Sequence, residues 1–173
     1  MKEQEIFDFR LEPGKERTVR KILYSGDPLI SIVTPYYNAD KYINQTANSI
    51  LNQTFPYFEW IIVDDGSTDE NAKRKLKDLK EIDARIRILY QENSGPAAAR
   101  YFGAKMAKSD IIFCLDADDL IDNTMLECGY FTLLTNQDAA FAYTPICTFG
   151  DNNYLYSPMF DTLKEKKENI ISV

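Results

Sequence analysis

Ile111-Ile112-Phe113-Cys114-Leu115, followed at once by Asp116-Ala117-Asp118-Asp119, is the stretch on which the reading of this chain turns. Five consecutive apolar residues bounded by charge read as a buried strand. Acids placed directly after such a strand lie at the carboxyl edge of a sheet, where open α/β sheets bind their ligands. Three carboxylates within four residues repel one another, so the cluster is costly unless a cation or hydrogen-bond donors offset it. Hard oxygen ligands of this kind suit Mg2+ or Mn2+, ions that keep several waters and bridge to substrate phosphates. The stretch predicts a place that holds a metal-bound phosphate.

A second acidic cluster stands in the same relation to its own strand. Trp60-Ile61-Ile62-Val63 runs directly into Asp64-Asp65-Gly66-Ser67-Thr68-Asp69. Ser67 and Glu70 have the spacing of a capping box, so Ser67, Thr68 and Asp69 read either as capping residues or as part of a site. Asp64 and Asp65 precede the cap and are not explained by it. Two strands that end in paired acids predict one shared crevice.

Working outward, short apolar runs alternate with amphipathic stretches. The predicted strands are Leu29 to Thr34, Phe58 to Val63, Ile86 to Tyr90, Ile111 to Leu115 and Ala139 to Tyr143. The predicted helices are Lys41 to Leu51, Asp69 to Ile82, Pro96 to Ala107 and Asn123 to Leu134, with Pro96 suited to a first helical position after Ser94-Gly95. Strands separated by helices mean βαβ units, hence an α/β fold with a mostly parallel sheet flanked by helices. Residues 1–28 read as an N-terminal extension and 29–145 as the main domain. From 146 to 173 the chain reads as a tail or the start of a further region, with little regular pattern over Thr144 to Pro158 and an unsupported sheet edge after Tyr143.

Composition narrows the chemistry. The chain has 173 residues, 45% of them apolar, which suits one soluble globular domain. Its formal charge of −7 argues against nucleic acid as a partner, since such surfaces collect Lys and Arg. No apolar run reaches membrane-spanning length, and the N-terminus lacks a signal-peptide core. Cys114, Cys128 and Cys147 are odd in number and widely spaced, and they read as reduced core residues of a cytoplasmic protein. The absence of histidine removes Ser-His-Asp and Cys-His nucleophiles and the histidine-based metal hydrolases. Catalysis must then run on carboxylates, a metal or the ligand's own chemistry.

Four readings compete. A dinucleotide site fails because Thr34-Pro35-Tyr36-Tyr37-Asn38-Ala39-Asp40, after the first strand, contains no glycine for a pyrophosphate to approach. A calcium loop from Asp116 fails because Leu120 and Ile121 stand where an oxygen ligand and a glycine are needed. A non-catalytic nucleotide- or metal-binding module of the receiver type is the alternative. It is disfavoured because its acid pair follows the first strand, not the second. The reading that uses every feature rests on four ordered motifs. They are strand-Thr-Pro-Tyr-Tyr-Asn, strand-Asp-Asp-Gly-Ser-Thr-Asp, Asn93-Ser94-Gly95-Pro96-Ala97-Ala98-Ala99-Arg100, and strand-Asp-Ala-Asp-Asp. Together they closely resemble the nucleotide-sugar-binding half of family 2 glycosyltransferases, inverting enzymes of the GT-A fold, over roughly Pro28 to Tyr143. Ser49 to Phe55 is similar to the family's helix end before the second strand.

The resemblance implies roles for particular residues. Thr34 and Tyr36 match positions that contact uracil, Tyr36 as a stacking face. Asp65 matches the acid that hydrogen-bonds the base, with Asp64 beside it. Arg100 matches a basic residue facing the diphosphate, though as a bare residue it reads equally as a solvated helix position. Asp116-Ala117-Asp118 matches the DXD motif, with Asp116 towards the ribose, Asp118 as metal ligand and Asp119 as its neighbour. A cofactor of Mn2+ or Mg2+, a UDP-sugar donor and a saccharide or glycolipid acceptor follow, in a cytoplasmic enzyme of polysaccharide biosynthesis peripheral to the inner membrane face. A homodimer is expected separately, from the unsupported sheet edge after Tyr143, which a second copy could pair. The mechanism implied is a single displacement at the anomeric carbon, the metal offsetting charge on the leaving diphosphate while a carboxylate base deprotonates the acceptor. That base belongs downstream in the family. Asp151 and Asp161 are the weak candidates here, and the expectation is a donor-binding portion that lacks the base.

Overall fold

The computed structural model describes residues 26–148, 154–156 and 170–172. These fall into two compact units, one ending at Asn123 and the other beginning at Thr124. In the first, β1 (Ile30–Tyr36), β2 (Phe58–Asp64), β3 (Ile86–Tyr90) and β4 (Ile112–Cys114) form a wholly parallel sheet in the order β3-β2-β1-β4. The connections carry α1 (Ile43–Leu51), α2 (Glu70–Ile82) and α3 (Pro96–Lys105). The chain lays β2 and β3 to one side of β1, then crosses to the other side for β4. The order therefore reverses between β1 and β4, and the crevice beyond their carboxyl ends is where such sheets take ligands.

The second unit contains α4 (Met125–Thr135), which packs on β5 (Phe141–Tyr143). β5 pairs in parallel with β8 (Ile170–Ser172), and β6 (Ile146–Cys147) pairs antiparallel with β7 (Leu155–Tyr156). Two sequence expectations are corrected here. The segment after Tyr143 contains strands, and the sheet edge at β5 has a partner, because residues far along the chain return to supply it.

Burial follows strand position. β2 is buried along its whole length and β1 nearly so, as expected of inner strands of a parallel sheet covered on both faces. Val33, Ile61 and Val63 face α3, where Ala99 packs with Leu89, Phe102 and Ala107. The alternate residues face the other way. The indole N–H of Trp60 donates to Thr34 Oγ1 at 2.9 Å, and Tyr36 donates to the carbonyl of Ala72 in α2. β4 is an edge strand of three residues, shorter than the predicted one, and Cys114 is exposed. Cys147 is also exposed and Cys128 half-buried, so the expectation of core cysteines does not hold, although all three are free thiols.

Two features of this core carry measurable consequences. At Gly103 of α3 an added Cβ would stand 2.5 Å from Val33 Cγ1 and 3.0 Å from Val63 Cγ2, so the glycine is what lets the helix lie close on the sheet. Both opposing groups are β-branched and stiff. Glu59, buried in β2, accepts from the Ser31 hydroxyl at 2.7 Å, the Lys108 backbone N–H at 2.7 Å and the Arg87 guanidinium. Burial pushes its carboxyl up, but these donors and the charge on Arg87 outweigh that and hold it below the usual range.

Gly103→Ala should therefore cost about 1–3 kcal/mol of stability, read as a lowered urea midpoint with an unchanged slope. An unshifted midpoint would show that the helix has room. Glu59 has its pKa lowered by folding, so its stabilisation is full above the unfolded glutamate value and is lost as pH falls through the folded one. Glu59→Gln should lower stability at neutral pH and make the acid limb of a stability–pH curve shallower. A parallel, merely displaced curve would contradict this.

Candidate functional site

A cavity of about 560 Å3 opens at the carboxyl ends of β1, β2 and β4, with Tyr36, Tyr37, Asp65, Arg100, Asp116 and Asp118 among its walls. Three loops build it, and hydrogen bonds fix each to a neighbour. Asn38, after β1, has a φ of +50°, a left-handed conformation that asparagine tolerates better than most residues. Its Oδ1 accepts from the backbone N–H groups of Thr68 and Asp69, both at 3.0 Å, and its own N–H donates to Ser67 Oγ. The β1 loop and the β2 loop are thereby tied together. Gly66, at a φ of +74°, lets the backbone of Asn93 come close to the β2 loop.

The acidic loop after β4 is held from α1 and the turn that follows it. Thr46 donates to the carbonyl of Ala117 at 2.9 Å, and the Gln53 amide donates to the carbonyl of Asp122 at 2.6 Å. The backbone N–H of Thr54 donates to the carbonyl of Asn123 at 2.8 Å. Thr46 thus holds the start of the loop, and the helix-end segment Ser49 to Phe55 acts as a clamp on residues 121–123.

The expected site residues separate into those the cavity gathers and those it does not. Asp65, Arg100, Asp116 and Asp118 all line it. Thr34 does not. It is fully buried against Trp60 on an inner strand, which leaves no surface for a base. Tyr36 lines the cavity but is only 1% exposed, and its hydroxyl is engaged by α2, so it makes a floor and not an open stacking face. Burial, then the charges of Asp40, Asp64 and Asp69, push its phenol well up. The exposed rings at this wall are Tyr37, at 48%, and Tyr42, at 39%. Sequence reading passed over Tyr37, which follows the last residue of β1, where strand alternation no longer says which way a side chain faces. Tyr42 lines the cavity as well, with the Lys41 ammonium 4.7 Å from its ring.

The carboxylates differ in how they are held. Asp64 Oδ1 accepts from the backbone N–H of Ser67 at 2.9 Å, serving its own loop. Asp69 is the cap of α2, accepting from the Ala72 N–H. Ser67 is not the cap that the capping-box spacing predicted, because its hydroxyl is turned to Asn38. Asp65 Oδ1 accepts from Gln91 Nε2 at 2.7 Å and Ser94 N at 2.8 Å, and Oδ2 accepts from Gly95 N at 2.8 Å. Burial raises the Asp65 carboxyl, but those three donors outweigh it and hold the group below its ordinary range. Asp116 is paired with Arg100.

Asp118 and Asp119 have no side-chain donor among the described residues. Burial, then repulsion from Asp116 and Asp118, pushes the Asp119 carboxyl up. Its position is set by a backbone N–H to the carbonyl of Asp116, and it does not line the cavity. Among the described residues no three acidic or sulfur ligands converge as a ready-made metal cage. Asp151 and Asp161 lie outside the described residues.

Comparison with known proteins agrees with this geometry. The model of glycosyl transferase family 2 matches residues 31–171. An uncharacterized glycosyltransferase of Haemophilus influenzae is 45% identical over 110 residues, covering 63% of this chain and 44% of that protein. The putative teichuronic acid biosynthesis glycosyltransferase TuaG of Bacillus subtilis is 40% identical over 118 residues, covering 68% of this chain and 46% of its own. Among solved structures, S. aureus TarS 1-349 in complex with UDP-GlcNAc superposes with a TM-score of 0.65 at 25% identity, over 74% of this chain and 37% of that one. The mannosyltransferase PcManGT from Pyrobaculum calidifontis, in complex with GDP-Man and Mn2+, gives 0.62 at 21% identity, over 72% and 37%. The chain spans less than half the length of each of these proteins. The fold they share is GT-A. By its parallel sheet, its ordered acidic loops and the family model that matches residues 31–171 of its 173, the chain belongs to glycosyl transferase family 2.

Proposed function

We propose that this chain is the donor-binding part of an inverting glycosyltransferase that takes a UDP-sugar. The observation that carries the reading is the convergence of Asp65, Arg100, Asp116 and Asp118 on one cavity at the switch point of the sheet. In this reading the base lies against Asp65 with Tyr37 as its stacking face, the ribose lies towards Asp116, and the diphosphate faces Arg100. The Arg100–Asp116 pair places a cation at the cavity wall, and a phosphate competes well for it because arginine binds both groups in the same forked manner.

A divalent metal fits the residues present. Asp118 and Asp119 are hard oxygen donors without an offsetting partner among the described residues. Mg2+ or Mn2+ is held by one or two carboxylates plus substrate phosphates, so a protein cage of three ligands is not required. When bound, the metal supplies charge that stabilises a departing nucleoside diphosphate. Asp118 would hold it and Asp119 support it. Transfer to a saccharide or glycolipid hydroxyl needs a carboxylate base, for which Asp151 and Asp161 are the candidates within this chain. Action at the cytoplasmic membrane face as a peripheral protein belongs to the same proposal and is supported by family resemblance, whereas the expected homodimer rests on the sheet edge at β5, which β8 occupies. No helix among the described residues is long and apolar enough to cross a membrane.

Calorimetry with UDP and Mn2+ tests the reading. UDP should bind, and Asp118→Asn should remove the Mn2+-dependent part of the affinity, because an amide is a weaker ligand for a hard cation. Asp69→Asn serves as the control, since asparagine caps a helix as well as aspartate does. It should leave affinity and stability nearly unchanged, and equal losses in both variants would show the site to be drawn wrongly. Arg100→Gln should weaken UDP tenfold or more while sparing uridine, because a hydrogen bond to a charged group is worth about 1.5–3 kcal/mol. Uridine and UDP weakened alike would place Arg100 away from the diphosphate.

A further inference from the structure

We infer that Gln91 is a positioning residue that sets the base selectivity of the site by occupying one oxygen of Asp65. The inference rests on the nucleotide-sugar reading above and adds to it a residue that acts through Asp65 without touching the ligand. A carboxylate has two oxygens and about four lone-pair positions. Oδ1 of Asp65 takes two donors, Gln91 Nε2 at 2.7 Å and Ser94 N at 2.8 Å, and is full. Oδ2 takes only Gly95 N at 2.8 Å, which leaves one position for a ligand. The two backbone donors belong to the loop that opens α3 and cannot be exchanged. Gln91 alone contributes a side chain. Its own backbone is fixed, the N–H donating to the carbonyl of Asp64 at 3.0 Å, so the amide is presented from the end of β3 in a set place. Facing an ionised carboxylate, the amide must offer its NH2 and not its oxygen.

This accounting favours one kind of base edge. Uracil and thymine present a single imide N–H between two carbonyls, which one lone pair of Oδ2 can accept. Guanine presents N1–H and N2–H2 side by side, a forked pair that is best met by both oxygens of a carboxylate, as an arginine fork is. With Gln91 on Oδ1, the second oxygen is taken. Removing the amide frees it and makes the forked contact available.

The test compares UDP and GDP binding, each with Mn2+, in the 173-residue chain and in Gln91→Leu. The unaltered protein should prefer UDP by at least tenfold, and Gln91→Leu should shrink that ratio tenfold, mainly through tighter GDP binding. A merely structural role for Gln91 would weaken both nucleotides together and leave the ratio unchanged, which would overturn the inference. Should Gln91→Leu fail to fold, Gln91→Met keeps the length of the side chain without the donor and is read the same way. The unaltered protein also decides independently of any variant. Equal or tighter GDP binding would overturn the oxygen accounting, while a UDP preference that N3-methyl-UDP fails to share would support it. Binding of neither UDP nor GDP would sink the nucleotide-sugar reading itself and this inference with it, an outcome distinct from binding without selectivity.

Discussion

Negative charge at one end of a parallel sheet must be offset, and the way each acid is offset sorts the residues of this protein into those that build and those that bind. Carboxylates crowded within a few ångströms raise one another's pKa and push loops apart unless donors or cations intervene. Asp64 is met by the Ser67 N–H, Asp69 by the Ala72 N–H and Asp65 by three donors. Asp116 has Arg100. Asp118 and Asp119 have neither among the described residues, and burial, then repulsion from Asp116 and Asp118, raises the Asp119 carboxyl. Asp64 and Asp69 are offset within their own loop and lie away from the cavity, whereas Asp65, with a lone pair to spare, and Asp116 are offset and still line it. Asp118 and Asp119 are the pair that the proposed metal would offset.

Sheet topology decides where this imbalance sits. Laying β4 on the far side of β1 from β2 and β3 brings the acids after β2 and the acids after β4 to one crevice, although about fifty residues separate them. The loops are then fixed against their own repulsion. Asn38 joins the first to the second, Gly66 lets the third approach the second, and Thr46 in α1 and Gln53 just after it hold the last. Rigid placement matters for function because an ion or phosphate is bound well only where its ligands do not have to be gathered first. Gly103 is part of the same economy at a distance, since α3 carries Arg100 and must lie close to β1 and β2 to bring it to the wall.

Much of this was legible in the chain. The apolar runs of β1, β2 and β3 and the acids that end β2 and β4 were readable because local pattern and turn chemistry agree there. What could not be read was anything set by a remote partner. β1 is buried on both faces, so alternation gave no means of telling that Thr34 meets Trp60 while Tyr37 is an exposed ring. The capping-box spacing at Ser67 was genuine, but Asn38 competes for that hydroxyl and Asp69 caps instead. Cys114 looked like core because strand order is not a local property, and an edge strand exposes what an inner one would hide. Glu59 stood unremarked inside an apolar run, its partners Ser31, Arg87 and Lys108 each more than twenty-five residues away.

The central claim is that one cavity, framed by Asp65 at one side and Asp118 at the other, holds a uridine nucleotide and its metal together. A crystal structure of the chain grown with UDP and Mn2+, with the manganese located by anomalous scattering, tests it most directly. The account predicts the ion bonded to the Asp118 carboxylate and the diphosphate, with the uracil edge on Asp65 Oδ2 and Gln91 still on Oδ1. Manganese seated away from Asp118, or the base lying anywhere but at Asp65, would contradict it.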